Sequence, residues 1–210
     1  MSSKVGQRWL SLACAPLILG GSAYVLDVAD SSSAPARTAP AVAVGARPPA
    51  GRKSDFAWLQ PARVPRGWPV ARLAAGATLA YPPNWRPIES DAGSASAALL
   101  EHGQIRGYLN VTPQSGAETL ANWARFRPAH NREEGDRKLV LDAAQTGLRF
   151  RSGTGSCVVD HYATVSAHYR EIACIVRGAR STTVVVGAAP PRDWKLVYPE
   201  LKRSIASFAT

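Results

Sequence analysis

Acidic side chains are scarce in this chain. Fifteen Asp and Glu stand against 25 Lys and Arg in 210 residues, a formal charge of +10. The imbalance is uneven. Residues 1–75 carry nine basic side chains against three acidic ones, and residues 76–210 carry sixteen against twelve. The excess lies mainly in the tail. Nucleic-acid readers show a basic patch interleaved with aromatics on one element, and no segment here does, so no nucleic-acid partner is expected. The expectation is a soluble domain with a basic tether, with attraction of the tether to anionic lipid or cell-wall polymer, which salt would weaken, as the alternative.

Catalytic signatures are missing as well. There is no G-x-S-x-G and no S-x-x-K ahead of a strong helix. The run Ser152-Gly153-Thr154-Gly155-Ser156 is Gly-rich but falls between strand-like segments, whereas a phosphate cradle opens a helix. The chain has four histidines, His102, His130, His161 and His168, and nearby acids Glu133, Glu134, Asp136 and Asp160. His130 and Glu133 have a His-x-x-Glu spacing, but Pro128 and Gly135 argue against the helix that would put them on one side. A zinc site needs three or four converging ligands, so no metal and no cofactor are expected. Asn110-Val111-Thr112 matches a glycosylation sequon, but Pro113 follows and the Arg- and Ala-rich composition is bacterial in character.

Long apolar runs are absent except for one. Residues 9–26 follow Lys4 and Arg8 and precede Asp27 and Asp30. As a helix this run is about 27 Å long at 1.5 Å per residue, near the lower limit for spanning a bilayer. The positive-inside tendency would hold its amino end in the cytoplasm. It reads as a signal anchor, with a cleaved signal peptide as the alternative. Ala41-Val42-Ala43 is a small-x-small site but lies far beyond the run. Cys14 does not read as a lipidation site, because Ser11 takes the position that should be apolar and the run continues past it.

The other two of the three cysteines are Cys157 and Cys174. They sit in strand-like runs, residues 156–164 and 168–177, joined by a tight hairpin at Val165 and Ser166. If they face each other a disulfide forms, and it places the domain outside the reducing cytoplasm. It would close a loop of about 17 residues and contribute about 3 kcal/mol in the chain-entropy model. The same register sets Asp160 opposite Glu171 and His161 opposite Arg170. A carboxylate pair can separate its pKa values for acid/base work, but a structural role is the expectation here, with His161 and Arg170 sharing charge along the sheet edge.

The chain divides into an anchor or signal segment (1–29), an Ala/Pro/Ser-rich linker (30–54) and a folded domain (55–210). The linker has no apolar period and cannot bury much surface. Phe56, Trp58, Leu59, Val64 and Trp68 lie among prolines and are expected to form an extended strap on the domain, with partner binding as the alternative. Strands are expected at residues 70–73, 77–81, 97–101, 105–112, 139–143, 147–151, 156–164, 168–177 and 181–188. Their short links favour antiparallel pairing. Ser115-Gly116-Ala117-Glu118 has capping-box spacing ahead of a helix carrying Leu120, Trp123 and Ala124, which Pro128 is expected to stop. A polar loop follows. Trp194, Val197, Leu201, Ile205 and Phe208 mark a closing amphipathic helix. Pro199 is expected in its first turn or at a restart.

Two helices and one antiparallel sheet make an α+β layered domain. The segment Leu79-Ala80-Tyr81-Pro82-Pro83-Asn84-Trp85, the helix after residues 108–112 and the closing Trp194…Leu201…Ile205…Phe208 helix resemble the PsbP/LpqN-like superfamily of small exported αβα-sandwich domains, over roughly residues 65–210. The resemblance implies a binding or accessory protein without catalysis. Several members are exported and membrane-associated. The expectation is therefore a membrane-tethered extracytoplasmic domain of a bacterial cell envelope. It would hold a protein or envelope component through Arg125, Arg127, His130, Arg132, Glu133, Glu134 and Asp136. An envelope hydrolase or transferase with a site assembled from loops is the alternative.

Overall fold

Alternating apolar residues in the second half of the chain build one wide antiparallel sheet. The computed structural model describes residues 54–210. The apolar run at 9–26, Cys14 and the linker through residue 53 lie outside the described residues. Among the described residues no helix is long and apolar enough to cross a membrane. A small hairpin comes first, β1 (Val70–Arg72) and β2 (Thr78–Ala80), turned by Gly76 at φ +92°. The main sheet contains β3 (Arg86–Ile88), β4 (Ala95–Glu101), β5 (Gln104–Pro113), β6 (Arg137–Phe150), β7 (Gly153–Ala163), β8 (His168–Gly178) and β9 (Thr182–Ala189). Its order is β3-β4-β5-β9-β8-β7-β6, with every pair antiparallel.

One helix covers each face. The helix α1 (Trp123–Glu133) packs on β6 and β7, and α2 (Pro191–Ser207) packs on β9, β5, β2 and β8. The period of two along β8 shows how the faces divide. Ile172, Cys174 and Val176 join the larger core on the α2 side, and Ala173 and Ile175 join the smaller core under α1. Along α2 the spacing of Trp194, Val197, Leu201 and Ile205 makes one buried stripe. Register Cys157↔Cys174 puts both cysteines in the larger core, where they are disulfide-bonded. The β7–β8 turn falls at Val165 and Ser166, closed by the Thr164 amide donating to the Ala167 carbonyl at 2.8 Å. The aromatic strap packs against α2. Phe56 and Leu59 are buried, Trp58 meets Tyr198 edge-on, and the Ala62 amide donates to the Ala206 carbonyl.

Four expectations about element boundaries are corrected. Pro128 does not stop α1. It lies inside the helix, which continues to Glu133, so half of the expected polar loop is helical. Pro199 likewise lies inside α2, with no restart. Both prolines remove one amide donor, and buried residues on either side, Arg127 and Asn131 around Pro128 and Val197 and Leu201 around Pro199, hold the turns to the sheet. The helix also begins later than the capping box implies. The Ser115 amide donates to Glu118 Oε1 at 2.9 Å, but residues 115–122 lie outside the helix, with a turn at 120–122, and Thr119 and Asn122 bond each other's amides before Trp123. Finally, the two strands expected at 139–143 and 147–151 are a single strand, β6, whose register slips three times against β7.

Candidate functional site

The inner face of α1 sits on charge. Arg127 and Asn131, one turn apart, both point into the sheet and are buried. Arg127 makes a two-pronged ion pair with Glu171, Nε to Oε1 at 2.7 Å and Nη2 to Oε2 at 3.0 Å. Tyr162 Oη donates to the same carboxylate at 3.3 Å. The lateral register carries this row across the sheet through Tyr108, Ala188, Glu171 and Asp160. Asp160 is 1% exposed, and neither of its oxygens has a hydrogen-bond partner among the described residues; the same holds for both amide atoms of Asn131. One buried carboxyl, Glu171, thus holds the buried guanidinium, and the second, Asp160, lies beside the pair unbonded. Burial first, and Glu171 second, push the Asp160 carboxyl up to about 8. Burial opposes the charge of Arg127, but Glu171 outweighs it and holds the guanidinium ionised. Burial and then Glu171 raise the Tyr162 phenol, which stays neutral as a donor. Removing one partner of such a buried pair costs about 3–5 kcal/mol, because the other charge is left unpaired.

The residues expected to form a contact surface separate into two groups. Arg125, Arg132, Glu133 and Glu134 are exposed on α1 and its C-terminal cap. His130 is half-buried, with its ring stacked on Phe126 at 5.7 Å and Nε2 4.0 Å from Glu134 Oε1. Asp136 is half-buried at the start of the turn into β6, and burial raises it to about 6. Arg127 is the correction. It is 4% exposed and turned into the sheet, so it belongs to the interior charge cluster and not to the helix flank. Its i,i+4 partner Asn131 was not legible as buried, because a helix expected to end at Pro128 offers no periodicity there.

On the α2 side, His161 and Arg170 do face each other, and Asp142 joins them. Asp142 Oδ1 lies 3.3 Å from His161 Nδ1 and Oδ2 lies 3.2 Å from Arg170 Nη2. Among the described residues no group of three or more His, Cys, Asp or Glu is placed to hold a metal ion. His102 stands in the β4–β5 turn at φ 49°.

Three chain reversals meet at one end of the sheet around a cavity of about 510 Å³. Its walls are the β4–β5 turn (Gly103, Gln104, Ile105), the β7–β8 turn (Ser166 to Tyr169) and the β9–α2 junction (Pro190, Pro191, Arg192). Arg192 Nη2 donates to Gln104 Oε1 at 3.1 Å, bridging two of these walls. Arg106 ties Glu101 to Asp193 at the base of α2. Of the residues weighed from the sequence only His168 lines this cavity. Its other polar members are scattered over 88 positions from Gln104 to Arg192, so no local motif joins them.

No family model and no curated protein matches the chain. Solved structures do. The solution structure of cyanobacterial PsbP (CyanoP) from Synechocystis sp. PCC 6803 aligns with a TM-score of 0.52 at 13% identity, over 68% of this chain and 92% of that one. The described chain has the PsbP-like fold. The crystal structure of LpqN, involved in cell envelope biogenesis of Mycobacterium tuberculosis, aligns with a TM-score of 0.42 at 9% identity, over 76% of this chain and 99% of that one. The 13% identity to CyanoP speaks to the fold alone and leaves every site residue to the chemistry of this chain.

Proposed function

We propose that this protein is an exported accessory domain of a bacterial envelope, held to the membrane by residues 9–26 and spaced from it by residues 30–54. On this reading it captures a protein or envelope component through the exposed residues Arg125, Arg132, Glu133 and Glu134, with His130 and Asp136 beside them. The observation that carries it is the Cys157–Cys174 disulfide in the core of a PsbP-like sandwich, a bond suited to an oxidising compartment. An accessory role, in preference to catalysis, is supported by the placement of the charged centre. Arg127, Glu171 and Asp160 are buried beneath α1, out of reach of a substrate in solution.

The test is crosslinking in native membranes. The wild-type chain should fractionate with membrane, resist thiol alkylation at Cys157 and Cys174, and trap a defined component. Changing Arg132, Glu133 and Glu134 together to Ala should abolish trapping while moving stability by no more than about 0.5 kcal/mol per exposed site. A chain found in the cytosol with both thiols alkylated, or a triple variant that traps as well as wild type, refutes the proposal.

A further inference from the structure

The cavity at the sheet end is built from three chain reversals. Its volume of about 510 Å³ falls within the range of small-molecule sites. Its walls are set before any ligand arrives. The β4–β5 turn has two successive residues at positive φ, His102 at 49° and Gly103 at 74°, the tight hairpin geometry that leaves the loop little freedom. The β7–β8 turn is held by Thr164 Oγ1, which accepts from the Ser166 amide at 3.2 Å and the Ala167 amide at 3.0 Å. The third wall is Pro190-Pro191, where two rings restrict the backbone. Preformed walls remove much of the ordering cost of binding.

The lining pairs one cation, its side chain 67% exposed, with an apolar floor. No Asp or Glu lines the cavity. Arg192 is the full positive charge. Its Nη2 is steadied by Gln104 and its Nε lies 3.4 Å from Asp193 Oδ2. Asp193 is itself buried and ion-paired to both Arg106 and Arg192, so one carboxylate is shared between two guanidiniums. One further donor shares the lining, the half-buried Tyr169 phenol, which burial keeps neutral, and the side chain of its neighbour His168 leaves the opposite face of β8. Ile105, Ala167, Pro190 and Pro191 supply apolar surface. Tyr169 is backed by Tyr162 at a ring distance of 6.0 Å, which fixes the ring from behind.

We propose that the cavity between the β4–β5 turn, the β7–β8 turn and the start of α2 is a binding site for a small organic carboxylate with an apolar body. Arg192 takes the carboxylate, the Tyr169 phenol adds a hydrogen bond, and Ile105 with the two prolines covers the ring or chain. The site is independent of the contact surface on α1, and its failure would leave that reading untouched.

The experiment is an amide chemical-shift titration of the ¹⁵N-labelled full chain in detergent micelles with benzoate, using benzamide and inorganic phosphate as comparison probes. Benzoate should shift the amides of Ile105, Ala167, His168, Tyr169 and Arg192 saturably, and benzamide and phosphate should bind much more weakly. Arg192→Gln should weaken benzoate by about tenfold or more, the loss of one charge-assisted hydrogen-bonded contact. Tyr169→Phe should weaken it less. Lys195→Gln, on the exposed side of α2, should leave it unchanged and report on general charge. No saturable shift in these amides, benzamide binding equal to benzoate, or an Arg192→Gln variant that binds like wild type each overturns the assignment.

Discussion

Asp160 sets how this fold responds to pH. Its carboxyl is raised to about 8 in the native state by burial and by Glu171, against about 4 in the unfolded chain. The folded protein therefore holds this proton more tightly than the unfolded one. Its contribution is fully present below about pH 4, declines between about 4 and 8, and is lost above that. Asp136, raised to about 6 by burial, acts in the same sense over the lower part of that window. Asp193 acts oppositely, because its hydrogen bond with Arg106 lowers its value and acid removes that contribution. The expected outcome is a urea midpoint that falls as pH rises from 5 to 8. In Asp160→Asn, which cannot ionise, most of that fall should disappear. An unchanged pH profile in the variant would show that Asp160 titrates as an ordinary surface carboxyl. The register that sets Asp160 against Glu171 was legible from the spacing of Cys157 and Cys174. The guanidinium on Glu171 was not, because Arg127 arrives from a helix 44 residues away.

Helix α2 meets β5 where there is no side chain to separate them. A Cβ built on Gly107 would lie 2.7 Å from Trp85 Cη2 and 3.3 Å from Val197 Cγ1. Trp85 is buried, and its indole N–H donates to Glu200 Oε2 on α2 at 3.0 Å. Gly107→Ala is thus expected to push the indole outward and cost about 1–3 kcal/mol, the usual range for overpacking. Urea unfolding measures the loss, and a shift in tryptophan emission reports the displaced ring. Wild-type stability in this variant would mean that the β5–α2 contact is loose. Element types were mostly readable from periodicity: the β-hairpins, both helices and the strap follow from alternation, apolar stripes and prolines. Element ends were not. Pro128 and Pro199 each carry a strong local stop signal, and packing on both sides of each proline overrides it. The single strand β6 was hidden for a related reason. Its three register slips disrupt the alternation that marks a strand.

The Cys157–Cys174 bond joins the neighbouring strands β7 and β8 inside the larger core, with both residues no more than 1% exposed. A reductant reaches it only if the sheet opens or α2 lifts. Dithiothreitol should therefore leave the native protein oxidised and reduce it rapidly in denaturant. The Cys157→Ala, Cys174→Ala double variant should lose about 3 kcal/mol, the chain-entropy value for a loop of this length. Rapid reduction without denaturant would place the bond nearer the surface than the packing has it. The antiparallel α+β architecture, the facing cysteines and the paired carboxyls were already implied by residue order, because a period of two and short turns leave antiparallel neighbours almost no choice of register. Which side chains share a space across long stretches of chain was settled only by packing. Arg127 meets Glu171, and Gln104, Tyr169 and Arg192 meet around one cavity, because the layering of helices on a sheet brings together residues that no local pattern relates.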